Sequence, residues 1–271
     1  MFTPSIRPFP PRPFFPRAAA VVLALSLAVM GACSEDETAA PETQSEYLLV
    51  HHEGESTQVW LGDLPSIDVD GQTAVHLDEL VDTSLVPMYE DKGGAFHDAR
   101  VLYAYRIAGE DGFSASVKGY PDNTWDQMPL GYILAATRDV VFPDEAIDLP
   151  GAYNVKASRH VYVKRKFDVI APDTTAFYEL EQMPVVQVEN FEAQLEDAVA
   201  LSGFVSALIA DPASRSYYIT ALDGYGTADP MTWTQLQTGY WLLETQKTIF
   251  TDPALTSGPY KLKMLERIEI E

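Results

Sequence analysis

The chain has 271 residues, with 40 acidic against 18 basic side chains and a formal charge of −22. That balance excludes nucleic acid as a partner, which demands a basic footprint. It also repels anionic lipid headgroups, so no basic patch holds this chain to a bilayer. A single cysteine excludes any intrachain disulfide.

At the start of the chain, residues 1–17 carry Arg7, Arg12 and Arg17 and no acid, and residues 18–30 are apolar apart from Ser26. Met30-Gly31-Ala32-Cys33 follows. A basic region, a short apolar stretch and a small-residue cleavage site read as a secretory signal. The apolar run falls short of the roughly 20 residues that a membrane span needs. Gly31, Ala32 and Cys33 resemble a bacterial lipobox, with Met30 where leucine is usual. The resemblance implies a signal peptide over residues 1–32, cleavage before Cys33, and palmitate-type acylation of that cysteine. Ser34, in place of aspartate, implies sorting to the outer membrane. The alternative is an ordinary secretory signal with an incidental cysteine.

One acyl chain binds a bilayer marginally, at about 0.8 kcal/mol per buried CH₂, whereas several chains on Cys33 anchor it firmly. Loss of residues 1–32 removes three arginines and no acid, taking the charge to −25. With Cys33 committed to lipid, no thiolate metal site, iron–sulfur cluster, CxxCH haem attachment or cysteine nucleophile remains.

Residues 33–45 then form an acidic tether, SEDETAAPETQS after the cysteine, with the composition of a disordered linker. Its twelve residues span about 20 Å as a coil. The fold begins at residue 46. His51 and His52 are adjacent, so a strand points them to opposite sides. His76, His97 and His160 stand singly, and a metal centre wants about three converging ligands. Ile67-Asp68-Val69-Asp70-Gly71 places Thr73, not glycine, where a calcium loop needs its turn residue, so Asp70-Gly71 reads as a hairpin turn.

Helices are predicted over 75–85 (VHLDELVDTSL) and 191–210, where Leu195, Val199, Phe204 and Leu208 recur at spacings near four. Strands are predicted at 101–109 and 215–222, rich in aromatic and β-branched residues, each running into a turn at Asp111-Gly112 or Asp223-Gly224. Lys164-Arg165-Lys166 sits late in a strand, where alternation keeps the three from converging on one phosphate. Asp229-Pro230 signals the cap of a short helical turn carrying Trp233 and Leu236. A strand over 239–245 follows. The last segment, 260–270, alternates with Leu262, Met264, Ile268 and Ile270 inward. The fold class expected is α+β.

The folded part repeats itself. Residues 125–144 (WDQMPLGYILAATRDVVFPD) and 233–252 (WTQLQTGYWLLETQKTIFTD) match without a gap at an offset of 108, with eight of 20 positions identical. The pairs include Trp125/Trp233, Gln127/Gln235, Gly131/Gly239, Tyr132/Tyr240 and Phe142/Phe250. IAGEDGF (107–113) answers ITALDGY (219–225), and LPGAYNVKASRHVYV (149–163) answers TSGPYKLKMLERIEI (256–270). VHLDELV (75–81) loosely answers AQLEDAVA (193–200). The expected division is a first repeat over 46–171 and a second over 172–271, each the size of a small domain.

In each repeat a helix is followed by a strand entering Asp-Gly-aromatic, a short helix, an apolar strand and a glycine-led turn into a last strand. Asp223-Gly224-Tyr225, Gly258-Pro259-Tyr260-Lys261-Leu262 and Arg267-Ile268 carry this order, with Asp111-Gly112-Phe113 and Gly151-Ala152-Tyr153 as their first-repeat answers. The order resembles the molybdopterin-binding domain of sulfite-oxidase-type oxidoreductases. That family holds molybdenum through a cysteine thiolate, and the repeats contain no cysteine.

No GxSxG, phosphate-loop, dinucleotide or HExxH pattern appears, and Ser114, Ser202 and Ser206 lack a nucleophile's context. Trp125, Tyr132, Trp233 and Tyr240 are aromatics at equivalent places and read as core more readily than as a ligand cleft. The functional expectation is a non-catalytic binding or scaffold lipoprotein of the cell envelope. It is joined to the membrane through Cys33, takes an envelope protein as partner, needs no cofactor, and has no assigned catalytic, cofactor-binding or metal residue. The rival is an oxidoreductase holding a molybdopterin-type cofactor without cysteine ligation.

Overall fold

The computed structural model describes residues 47–271. Cys33 and the expected signal and tether lie outside the described residues. In chain order the first strands are β1 (Tyr47–His52), β2 (Glu55–Trp60), β3 (Ile67–Val69), β4 (Gln72–His76), β5 (Tyr89–Glu90) and β6 (Phe96–His97). Then come β7 (Tyr103–Gly109), β8 (Asn123–Thr124), β9 (Tyr132–Leu134) and β10 (Val140–Val141). A long strand, β11 (Ser158–Ala171), leads to β12 (Thr174–Glu179), β13 (Val185–Glu189), β14 (Leu195–Ala200) and helix α1 (Leu201–Leu208). The chain closes with β15 (Ser216–Ala221), β16 (Met231–Thr232), α2 (Trp233–Leu236), β17 (Gly239–Leu242), β18 (Lys247–Phe250) and β19 (Leu265–Ile270).

The α+β expectation is overturned. Strand accounts for 41% of the structure and helical turns for 20%, with only two α-helices among the described residues, which is closer to all-β. Both predicted long helices fail for identifiable reasons. Within 75–85, His76 ends β4 and only Leu77–Leu80 form a 3₁₀ turn. Asp82 then accepts from the backbone N–H groups of Ser84 and Leu85, a local turn that competes with helix. Within 191–210, Asn190 accepts from the N–H groups of Glu192 and Gln194 and Ala193 adopts φ 59, making a β13–β14 hairpin. Helix starts only at Leu201, because β14 is claimed on its other edge by β17. Pairing has overridden the near-four spacing. The cap of α2 is also displaced from the expected Asp229. Thr232 caps it, with Gln235 completing a reciprocal capping box.

A nine-stranded sheet is built from two copies of one pattern. In the first, β11 pairs parallel with β1 and antiparallel with β7; β1 carries β2 and β7 carries β8. In the second, β19 pairs parallel with the later part of β11 and antiparallel with β15; β11 carries β12 and β15 carries β16. Two four-stranded antiparallel sheets, β10-β9-β4-β3 and β18-β17-β14-β13, repeat in the same sense. β11 serves both copies, closing the first and opening the second. The cores divide along it. Val161 and Val163 belong to one apolar cluster, and Phe167 and Val169 to the next.

Arg165 sits at that division. Its guanidinium donates to the carbonyls of Leu102, Lys166 and Leu265 and lies over the rings of Phe167 (4.5 Å) and Trp241 (5.5 Å). Burial pulls its pKa down to about 10.

The identical pairs do identical local work. The Gln127 side chain accepts from Thr124 N–H at 3.0 Å, and Gln235 accepts from Thr232 N–H at 2.9 Å. Trp125 packs on Tyr105 with centroids 5.5 Å apart, and Trp233 on Tyr217 at 5.7 Å. A Cβ on Gly131 would meet Phe142 at 2.6 Å and Leu77 at 2.7 Å, and one on Gly239 would meet Phe250 at 2.5 Å and Leu201 at 3.0 Å. This second contact corrects the loose upstream match. Leu77 answers Leu201, so 75–81 corresponds to 199–205 and not to 193–200. Val75 pairs with Ile133 as Val199 pairs with Trp241, which fixes the same register.

Candidate functional site

A cleft of about 760 Å³ is built mostly by the second repeat, with the β5–β6 turn of the first completing its wall. Its walls come from the β5–β6 turn, the β13–β14 turn, the turn after β15, the start of β18 and the segment 258–263. Sequence sets each wall locally. Asp223 accepts from Tyr225 N–H at 3.0 Å, and Gly224 takes φ 76, a conformation glycine adopts without a Cβ penalty. This tight turn lifts the Tyr225 ring outward, 52% exposed. Gly258 lets the next segment approach, since a Cβ there would stand 3.2 Å from the Tyr225 hydroxyl. Phe191 is 43% exposed, with Lys261 Nζ over its ring at 4.6 Å, a cation–π contact.

Four of the chain's eight lysines line this cleft: Lys92, Lys247, Lys261 and Lys263. None of the four forms an ion pair among the described residues. Lys156, Lys164 and Lys166 all do. The cleft also holds Asp91 and Asp223. Asp91 accepts from His97 Nε2 at 3.0 Å and from the N–H groups of Gly93 and Ala95. The His97 bond, with the backbone donors, keeps Asp91 below the usual carboxylate range. Both carboxylates are thus hydrogen-bonded by their own turns, and the four lysines outnumber them in an otherwise acidic protein.

Two further polar clusters stand apart. His51 Nε2 is 2.9 Å from His160 Nδ1, and His51 Nδ1 is 2.7 Å from Ser56 Oγ, so two histidines that the sequence treats singly are brought together. His52 points away as alternation requires, edge-on to Tyr103. Asp82, His76 and the remaining histidines join no metal cluster: among the described residues, no group of three or more His, Cys, Asp or Glu is arranged for an ion.

The second cluster is buried. Asp122 is bonded to Arg106 Nε at 3.0 Å, and Lys164 Nζ lies 2.8 Å from Glu179 and 3.8 Å from Asp122. Burial and the adjoining Glu179 push Asp122 up to about 6, against the pull of Arg106. Burial also pushes Glu179 upward, but the bond from Lys164 and the charges of Lys164 and Arg106 win and hold it low.

Asp70-Gly71 is the β3–β4 hairpin turn, with φ 51 and 78. Gly112, like Gly224, has positive φ at its Asp-Gly turn. Lys164 and Lys166 go to carboxylates while Arg165 goes to backbone carbonyls, so the three do not converge. Trp125 and Trp233 pack against the two cores and do not line the cleft. The cleft lysines were not singled out from sequence; the available signal was Lys261-Leu262-Lys263 in so acidic a chain. No helix among the described residues is long and apolar enough to cross a membrane. Compared with family models, curated proteins and solved structures, the chain matches none.

Proposed function

We propose that this chain is a membrane-tethered, non-catalytic binding protein of the bacterial cell envelope, anchored through lipid on Cys33, and that the cleft of the second repeat takes its ligand. One observation carries the reading. The aromatic after the Asp-Gly turn is Phe113 in the first repeat, where it packs against the core, and Tyr225 in the second, where it stands out into the cleft. The same turn has been turned from packing to presentation. An open cleft with a few placed polar groups and aromatic faces is the ordinary form of a small-molecule site.

The lining supports binding over turnover. It contains lysines, two engaged aspartates and aromatic rings, and no serine, cysteine or histidine. No cysteine in either repeat supplies the thiolate of sulfite-oxidase-type chemistry.

The test is to purify the lipidated protein from its host envelope and identify by mass spectrometry the small molecules released on denaturation. A compound present with the parent and lost from a folded Phe191→Ala/Tyr225→Ala variant supports the reading. A compound retained equally by that variant, or none from the parent, contradicts it.

A further inference from the structure

The two repeats can be compared residue by residue at the cleft. Val140 N–H donates to Val155 O at 2.8 Å, and Thr248 N–H donates to Leu262 O at 2.9 Å. These equivalent bonds fix the register: Asp139 answers Lys247, Asn154 answers Lys261, and Lys156 answers Lys263. In the first repeat, Lys156 Nζ and Asp139 Oδ2 make an ion pair at 2.8 Å. Asn154 is folded inward, its Oδ1 accepting from Phe142 N–H at 2.8 Å.

The second repeat has lost both arrangements. Lys247 and Lys263 face each other directly across a β-bridge, an ammonium standing where the carboxylate of the first repeat stood. Like charges directly opposite on a sheet repel. Lys261 adds a third ammonium where the first repeat has a neutral amide, and Lys92 reaches the same cleft from the β5–β6 turn. Asp91 and Asp223 make no ion pair with these lysines, their bonds going to their own turns, and the lining holds four ammonium groups against two carboxylates. A cluster of four lysines without ion pairs among the described residues, beside two exposed aromatic rings, selects a particular chemistry.

We infer that the cleft binds an organic oxyanion: a phosphate, sulfate or carboxylate group carried on a flat apolar body. The oxyanion replaces the missing Asp139 carboxylate between Lys247, Lys261 and Lys263, and the body lies against Tyr225 and Phe191. This rests on the reading of the cleft as a ligand site.

The experiment is calorimetric titration of the purified full chain with 2-naphthyl phosphate and with neutral 2-naphthol. The phosphate is expected to bind at least about tenfold more tightly than the naphthol and to weaken as salt rises. Lys247→Asp rebuilds the first repeat's ion pair with Lys263. It is expected to weaken the phosphate by about tenfold or more and, without ligand, to raise the melting temperature.

Naphthol bound as tightly as the phosphate, with both lost in Phe191→Ala/Tyr225→Ala, overturns the oxyanion and leaves the cleft as a site. Phosphate affinity unchanged in a folded Lys247→Asp also overturns the oxyanion. Affinities unmoved by any of these variants overturn both readings. No binding of the phosphate at about 1 mM overturns the oxyanion.

Discussion

His51 and His160 lie 109 residues apart in the chain, yet Nε2 of the first stands 2.9 Å from Nδ1 of the second. Parallel pairing of β1 with β11 sets Leu49 opposite His160 and His51 opposite Tyr162, so all three rings share one face. One ring nitrogen donates and the other accepts, and a second proton on the pair would oppose two cations at contact. Burial lowers the pKa of both, and for His160 the His51 and Arg159 charges add to it.

A histidine with a depressed folded pKa binds fewer protons folded than unfolded. The pair's contribution is therefore present above the ordinary value of 6.5 and is lost as pH falls below it, through the folded values. Thermal unfolding of the parent should show the melting temperature dropping as pH falls through that window. His160→Gln should flatten the drop; an equal drop in the variant would place the proton uptake elsewhere.

Asp122 titrates with the opposite sign. Its folded pKa of about 6 lies above the ordinary 3.8, so the folded chain holds the extra proton. That contribution is full below 3.8 and is lost as pH rises through about 6. The side chain is only 1% exposed, so solvent screens little of the effect. Glu179, held low, opposes part of it. Relative to the parent, Asp122→Asn should gain stability as pH rises from 3.8 to about 6. Denaturant unfolding across that range checks the sign, and a difference that is flat or reversed would refute the raised Asp122.

Gly239 should not tolerate alanine. Its Cβ would enter the Phe250 ring at 2.5 Å, and overpacking a filled core costs about 1–3 kcal/mol. Gly131→Ala should cost a similar amount against Phe142. Trimming the ring in Gly239→Ala/Phe250→Leu should recover part of the loss. Urea midpoints of the three variants decide it; additive losses in the double variant would mean that the ring is not what glycine accommodates.

The duplication was legible because the identical pairs are local devices. Gln127 and Gln235 each satisfy a backbone N–H three residues back, and Gly131 and Gly239 each admit a phenylalanine ring. Such roles need one residue type and survive divergence. The Asp-Gly turns were legible for the same reason. The fold class was not. The near-four spacing of Leu195, Val199, Phe204 and Leu208 runs through a strand and then a short helix, so one apparent period spans two elements.

Contacts made by long-range pairing were hidden as well. Nothing near His51 in sequence announces His160, and the cleft gathers lysines from separate segments. The charge reversal at Lys247 was already present in the aligned repeats, opposite Asp139. It gains meaning only when Lys156 is seen to close on that aspartate.

The tether makes its own prediction. Cys33→Ser should leave the membrane fraction or remain uncleaved, as judged by fractionation and intact mass. A Cys33→Ser chain that is processed and sediments with membranes like the parent would remove the lipid anchor from the account.

The central claim is that the second repeat's cleft is the ligand site, and hydrogen–deuterium exchange reads it most directly. The full chain is compared before and after addition of the low-molecular-mass fraction of its host envelope. The account predicts new protection at residues 221–225, 247–250 and 258–263, with the equivalent first-repeat segments 109–113, 139–142 and 151–156 unchanged. Protection absent from the second-repeat segments, or appearing equally in both repeats, would contradict it.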